Sequence, residues 1–295
     1  VVIVARDSEI DEKSKTLKLL DASIINGSQT QGVIQDFVNE GNATDGIHVK
    51  FELIVTTDDE LIADVSIARN FQNDVKNLSI AGRLRQLDEL EVSLQKTFPK
   101  LRLQKSETQL PADDNDYLQT EKLLQVIAAL LPPELWWKGH EYNKSYTYNS
   151  KAICLKDFQE IFKRSKDGDA KFTDVYQYYL DFAGPAWELY LKWKTHQGFA
   201  GTGLRSLERD GYNIVEVPDG IIFPILASLA QFVVKTPAGW KLQVPSQLTD
   251  AELIAAAKRA YQESGRSRPE IMGKTKACYS SLEQITAIYK KLLTA

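Results

Sequence analysis

Methionine is nearly absent: Met272 is the only one in 295 residues, and the chain opens on Val1. A native start is therefore expected upstream of Val1. Cysteine is almost as scarce. Cys154 and Cys278 form neither a disulfide framework nor a thiolate metal spacing. Three histidines, His48, His140 and His196, give no zinc signature, because Lys144 stands where a zincin helix starting at His140-Glu141 needs its second histidine. Long hydrophobic runs are missing too. The longest, residues 221–234, is broken by Pro224, Ser228 and Gln231 and is too short to span a bilayer. Val1 to Ala5 runs straight into Arg6, Asp7 and Glu9, which is no signal peptide; a cytoplasmic location is expected. Nor does one sign of charge dominate. With 36 Lys+Arg against 40 Asp+Glu, the net charge is −4, which excludes a wholesale basic coat for nucleic acid.

What the chain does have is unevenly spread. Residues 1–119 carry 13 Lys+Arg against 21 Asp+Glu, while residues 120–295 carry 23 against 19. All five tryptophans lie in the second stretch, and Tyr117 is the only tyrosine in the first. Such a shift in charge and aromatic content points to two modules. The segment 108–119, with Pro111, Asp113, Asp114 and Asp116, is acidic and turn-rich and is the expected linker. The reading is α+β: a mixed α/β module over residues 1–107, then a helical module over 120–295.

Periodicity fills in the first module. Val1–Ala5 reads as a buried strand, and Leu17–Ile25 as another that ends at the turn signal Asn26-Gly27. Val33 with Phe37 and Ile34 with Val38 make i,i+4 pairs on a short helix. Ile47, Val49, Phe51, Leu53 and Val55 alternate as a half-buried strand. Thr57 and Glu60 have capping-box spacing for a helix over 58–69. Leu84, Leu87, Leu90, Leu94 and Phe98 share one face of a helix over 80–98, closed by Pro99, and Leu101–Lys105 reads as a strand. The second module predicts helices over 120–131, 154–165, 173–195 with a kink at Gly184-Pro185, 220–235, 249–263 and 278–292, the fifth opened by the capping box Thr249/Glu252.

The most suggestive run is Asn26-Gly27-Ser28-Gln29-Thr30. A strand that turns at Asn-Gly and enters a helix leaves the first helical N–H groups unpaired, and these suit an anion such as phosphate. The competing reading is a helix cap closed by the Ser28 hydroxyl. Asn70, Gln72 and Asn73 form a second polar cluster whose amides offer both donors and acceptors, or simply a turn. Arg102 and Lys105 are candidate cations for an anion site, or solvated strand residues. Asp167, Asp169 and Lys171 are the nearest approach to a metal-nuclease cluster and read as a turn before a helix. Trp136, Trp137, Tyr142, Tyr146 and Tyr148, interleaved with Lys138, Lys144 and Lys151, read as core or interface aromatics ahead of base-stacking ones. Gly273-Lys274-Thr275 lacks the upstream glycine of a phosphate loop, Arg268 standing in its place.

In order and spacing, Val1-Val2-Ile3-Val4-Ala5-Arg6-Asp7, Leu19-Leu20-Asp21, Ile25–Thr30, Thr56-Thr57-Asp58 and Asn70–Asn73 together resemble the core of the AIPR family of abortive-infection phage-resistance proteins. The likeness covers residues 1 to about 107. Arg69 departs from it, since a small polar residue is expected there. The resemblance implies a longer protein of which this chain is the C-terminal two thirds, with an Asn-Asn-Gly motif just upstream of Val1. The family's Asn-Gly-x-Gln-Thr is itself similar to the phosphate-facing motif of ParB and sulfiredoxin-like proteins, which implies a nucleotide or nucleic-acid phosphate as ligand. The expected ligand-binding set is Asn26, Gly27, Ser28, Gln29, Thr30, Asn70, Gln72, Asn73, Arg102 and Lys105, with no metal and no cofactor. The alternatives are part of a nuclease or NTPase whose active site lies upstream, and a non-catalytic interaction module that homo-oligomerises through its helices. A bacterial origin and no membrane partner are expected.

Overall fold

Five short strands mark the first unit of the computed structural model, which describes residues 1–27, 32, 34, 37–39, 48–62, 65, 77–106, 116–137, 144–204 and 206–294. The central strand β1 (Val2–Ala5) pairs antiparallel with β4 (Ser23–Asn26) and parallel with β5 (Glu52–Val55). Between them β2 (Asp7–Asp11) and β3 (Thr16–Leu20) form an exposed hairpin. Its tip is an Asp11 turn: that carboxylate accepts from the Lys13 and Ser14 amides, and Lys15 takes φ 53. Asp21, at φ 47, divides what the alternation predicts as one strand over 17–25; aspartate tolerates this left-handed region better than most residues. The strand predicted over 47–55 shortens to β5 because its partner β1 is only four residues long. Val4, Ala5 and Ile25 are buried with Leu78 and Ala81 of helix α1 (Asn77–Arg83).

Two compact units divide the chain, Val1–Leu84 and Arg85–Ala295. The helix predicted over 80–98 breaks there. Arg85 adopts φ 54, the left-handed conformation that ends a helix, and α2 (Asp88–Gln95) begins afresh. Residues 85–107, expected with the first module, thus fall in the second unit, and most of the expected linker (108–115) lies outside the described residues.

The second unit is built around α3 (Thr120–Ala129), whose Leu123, Leu124, Val126 and Ile127 are fully buried. A short helix α4 (Tyr146–Asn149) leads into α5 (Lys151–Lys166). The spine is α6 (Ala170–Lys194), which continues through Pro185. At Gly184 the helix passes so close to Thr97 that an added Cβ would lie 2.7 Å from the Thr97 Cβ. Next, α7 (Asp219–Leu229) is buried on every side, as an all-apolar helix must be. The helix predicted over 220–235 stops at Leu229. Val233–Thr236 instead forms β10, in a hairpin with β11 (Gly239–Leu242), turning where Gly239 takes φ 108. A second hairpin, β8 (Glu208–Asp210) with β9 (Asn213–Glu216), turns at Gly211. Strands β6 (Arg102–Leu103) and β7 (Tyr117–Leu118) pair in parallel. The chain closes with α8 (Asp250–Glu263), α9 (Pro269–Met272) and α10 (Lys276–Thr294). The architecture is α+β.

Candidate functional site

Register fixes the geometry of the first unit. Val2 faces Asn26 and Ala5 faces Val55, so the end of β4 lies beside the start of β1, and the end of β5 lies at the opposite end of the sheet. Gly27 follows at φ 112, and a Cβ placed on it would come within 2.9 Å of Val1 Cγ2 and 3.0 Å of Val1 Cα. Both facts demand glycine. The Val1 amino group donates to the Lys50 carbonyl at 3.1 Å, closing this edge. Gly32, Ile34 and Phe37–Asn39 are helical. Of the expected ligand-binding run, Ser28, Gln29 and Thr30 lie outside the described residues, as do Asn70, Gln72 and Asn73.

At the opposite end Arg6 joins two motif blocks. Its guanidinium donates to the Thr57 carbonyl at 2.7 Å and pairs with Asp59. Asp58, and not Thr57, caps the helix that follows, accepting from the Glu60 and Leu61 amides at 2.9 and 3.3 Å. The spacing between the Arg6 and Thr56–Asp58 blocks is thereby explained: they meet at the carboxyl ends of the parallel pair β1/β5. Sequence reasoning did not single out Arg6, although a lone arginine closing an apolar strand was a usable signal.

Arg102 and Lys105 belong to the second unit. Arg102 is exposed on β6. Lys105 donates to Asp88 at 2.7 Å and pairs with Glu91 at 2.7 Å. Burial lowers the Lys105 pKa, but its hydrogen bonds to these carboxylates, with their charge, outweigh it and hold it above its ordinary value. The free cation expected at Lys105 is thus a neutralised corner between α2 and β6, where Glu91 also accepts from the Leu103 amide.

The other sequence candidates resolve structurally. Asp169 caps α6, accepting from the Lys171 and Phe172 amides, and binds Arg164 at 2.7 Å. Lys171 donates to the Trp136 carbonyl at 2.9 Å. Among the described residues no three His, Cys, Asp or Glu side chains are grouped to hold a metal. Trp136 and Tyr146 are ring neighbours, centroids 6.5 Å apart, and Trp136 is buried. Both cysteines are buried thiols, and burial pushes Cys278 up to about 11, far from thiolate chemistry. Thr275 donates to the Ile271 carbonyl.

Two ionic groupings were not legible in sequence. Asp219, in the first turn of α7, accepts from Tyr190 at 2.7 Å and Lys194 at 3.3 Å and pairs with Lys122. Burial raises its pKa, but the hydrogen bond and charge of Lys122, with Tyr190 and Lys194, more than offset this and hold it below the usual value. Lys144, 8% exposed, donates to the Ala227 carbonyl at 3.1 Å.

An α+β chain with a small-sheet first unit and a mainly helical second unit is the class the fold defines. The family model described as AIPR protein matches residues 1–263. The chain belongs to the AIPR family, the abortive-infection phage-resistance proteins, and shares the family's phage-resistance role. The match reaches well past residue 107 and takes in most of the helical unit, correcting the narrower likeness read from motifs. It begins at residue 1, so the reading as the C-terminal two thirds of a longer protein is not borne out by it. No curated protein and no solved structure matches the chain. Among the described residues no helix is long and apolar enough to cross a membrane.

Proposed function

We propose that this chain serves phage defence by binding the phosphate of a nucleic acid or nucleotide at the turn that follows β4. Asn26, Gly27, Ser28, Gln29 and Thr30 form the ligand-facing run, assisted by Asn70, Gln72 and Asn73. The observation that carries the reading is Gly27, held at φ 112 against Val1. Gly27 lies between a strand and helical residues, and a strand that turned into a helix there would leave the first helical N–H groups open to an anion. Arg102 is an exposed cation of the second unit and is not part of this site. Lys105 contributes little, because two carboxylates already neutralise it.

Fluorescence anisotropy of a labelled oligonucleotide, titrated with the full chain, tests this. The double variant Asn26→Ala/Gln29→Ala should weaken binding about tenfold or more, and wild-type affinity should fall as salt rises. Equal binding by the two proteins, or none by the wild type, sinks the reading.

A non-catalytic docking role is the second reading. Phe51, Val55 and Leu61 of the first unit are large apolar side chains left exposed, and exposed apolar surface marks interaction sites. A stable oligomer by light scattering, with no oligonucleotide binding, would favour it.

A further inference from the structure

Lys144 is a buried amine beside an open cavity. Its ammonium has three donors, yet among the described residues one partner lies within hydrogen-bond distance, the Ala227 carbonyl near the end of α7. The Trp136 ring lies 5.5 Å away and a Glu283 carboxylate oxygen 3.9 Å away. Next to it is a cavity of about 240 Å³ lined by Pro133, Trp136, Lys144, Gln231, Glu283 and Ala287. A cation near a helix C-terminus is stabilising, which explains the bond to Ala227. That role requires neither the cavity nor the acid.

We propose that this cavity holds a small aromatic aldehyde or ketone, which Lys144 captures as an imine. The volume is below that of drug-sized sites, so the ligand is small. Trp136, Pro133 and Ala287 offer an apolar wall for a ring, while Lys144, Gln231 and Glu283 mark the polar end. An anionic ligand is disfavoured, because the Glu283 carboxylate stands beside the amine. Burial pulls Lys144 down to about 8, and burial also raises Glu283. Burial thus favours the neutral form of both groups and sets an amine beside an acid, the pairing that carbonyl capture needs. The balance is simple. Lys144 loses its ammonium proton to solvent, and its lone pair forms a C–N bond to the carbonyl carbon. One proton then passes from the nitrogen of the adduct to the former carbonyl oxygen, which takes a second from Glu283 and departs as water. The nitrogen gives up its remaining exchangeable proton as C=N forms.

Benzaldehyde with cyanoborohydride, which reduces an imine to a stable benzylamine, is the probe, and peptide mass mapping of the native full chain is the readout. At pH 8 Lys144 has roughly a hundredfold larger neutral fraction than an ordinary lysine, so it should label about tenfold or more faster than exposed Lys18 or Lys156. Lys144→Arg should leave only slow surface labelling. Glu283→Gln should slow Lys144 several-fold near pH 7 and leave Lys18 unchanged, which a purely structural glutamate would not do. Labelling of Lys144 no faster than Lys18 in the folded chain, or only after denaturation, overturns the proposal whether or not the variants fold.

Discussion

Gly27 sits against Val1 so closely that a methyl group on Gly27 would press on both the backbone and the side chain of its neighbour. Two costs therefore combine in Gly27→Ala, the positive φ and the overlap. Gly211 has φ 59 but nothing within 4 Å of its added Cβ, so Gly211→Ala carries the first cost alone. Gly211→Ala should lower unfolding free energy by about 1 kcal/mol, and Gly27→Ala by about 2–3 kcal/mol, each followed by urea denaturation. Equal losses would mean that Val1 moves aside.

The Asp219 carboxylate should behave as a pH-dependent clamp. Its pKa in the fold lies below the ordinary value, so its contribution is complete above the unfolded carboxylate range and fades as the pH falls through the folded value. Asp219→Asn should cost about 2 kcal/mol at pH 7. The gap between wild type and variant should close in acid. A gap independent of pH would show that hydrogen bonding alone, without charge, holds Lys122 and Lys194.

Lys144 predicts the same sign of change in an alkaline window. Its folded pKa, about 8, lies below that of a free lysine, so the unfolded chain binds more protons between about pH 8 and 10.5. Wild-type stability should rise across that window relative to Lys144→Met, by about 3 kcal/mol in all. Glu134 and Glu283 face the amine, and burial raises Glu283. Parallel pH profiles for the two proteins would contradict a buried ammonium.

Backbone meets backbone at Gly220, in the first turn of α7, where an added Cβ would collide with the Pro269 carbonyl group. Gly220→Ala should cost about 3 kcal/mol or more. Gly184→Ala should cost less, since it meets the Thr97 side chain. Calorimetric melting of both variants checks the order.

Thr249 closes a capping box with Glu252, each side chain bonded to the other residue's amide. Thr249→Ala should cost about 1 kcal/mol, measured by thermal unfolding; no change would mean that the start of α8 is held by packing alone.

The capping box was plain in the sequence, as were the helices of the second unit, because spacing of apolar residues and caps is local information. Arg85 and Asp21 were not, since nothing in a helical or alternating pattern marks a single residue of positive φ. The hairpin at Asp210-Gly211 falls in the stretch 196–219, to which the periodicity assigns no element, and Val233-Val234 follows α7 without a break in hydrophobicity. Of the candidate site, the glycine turn was legible because Asn-Gly is a turn by itself. Lys105's neutralisation by Asp88 and Glu91 was not, because it joins residues from different elements. Lys144 was hidden for the same reason: its surroundings come from Trp136, Ala227 and Glu283, scattered across the second unit.

The family match ends at residue 263, but α10 comes after it and is no appendage. Gln231 bonds to Thr286 and to the Glu283 carbonyl, and Thr286 itself reaches the Ser228 carbonyl at 2.9 Å. A protein trimmed to the shared span would strip one flank from the most apolar helix in the molecule and leave a greasy, sticky seam. Expression work on this chain should treat its last twenty or so residues as part of the body they brace.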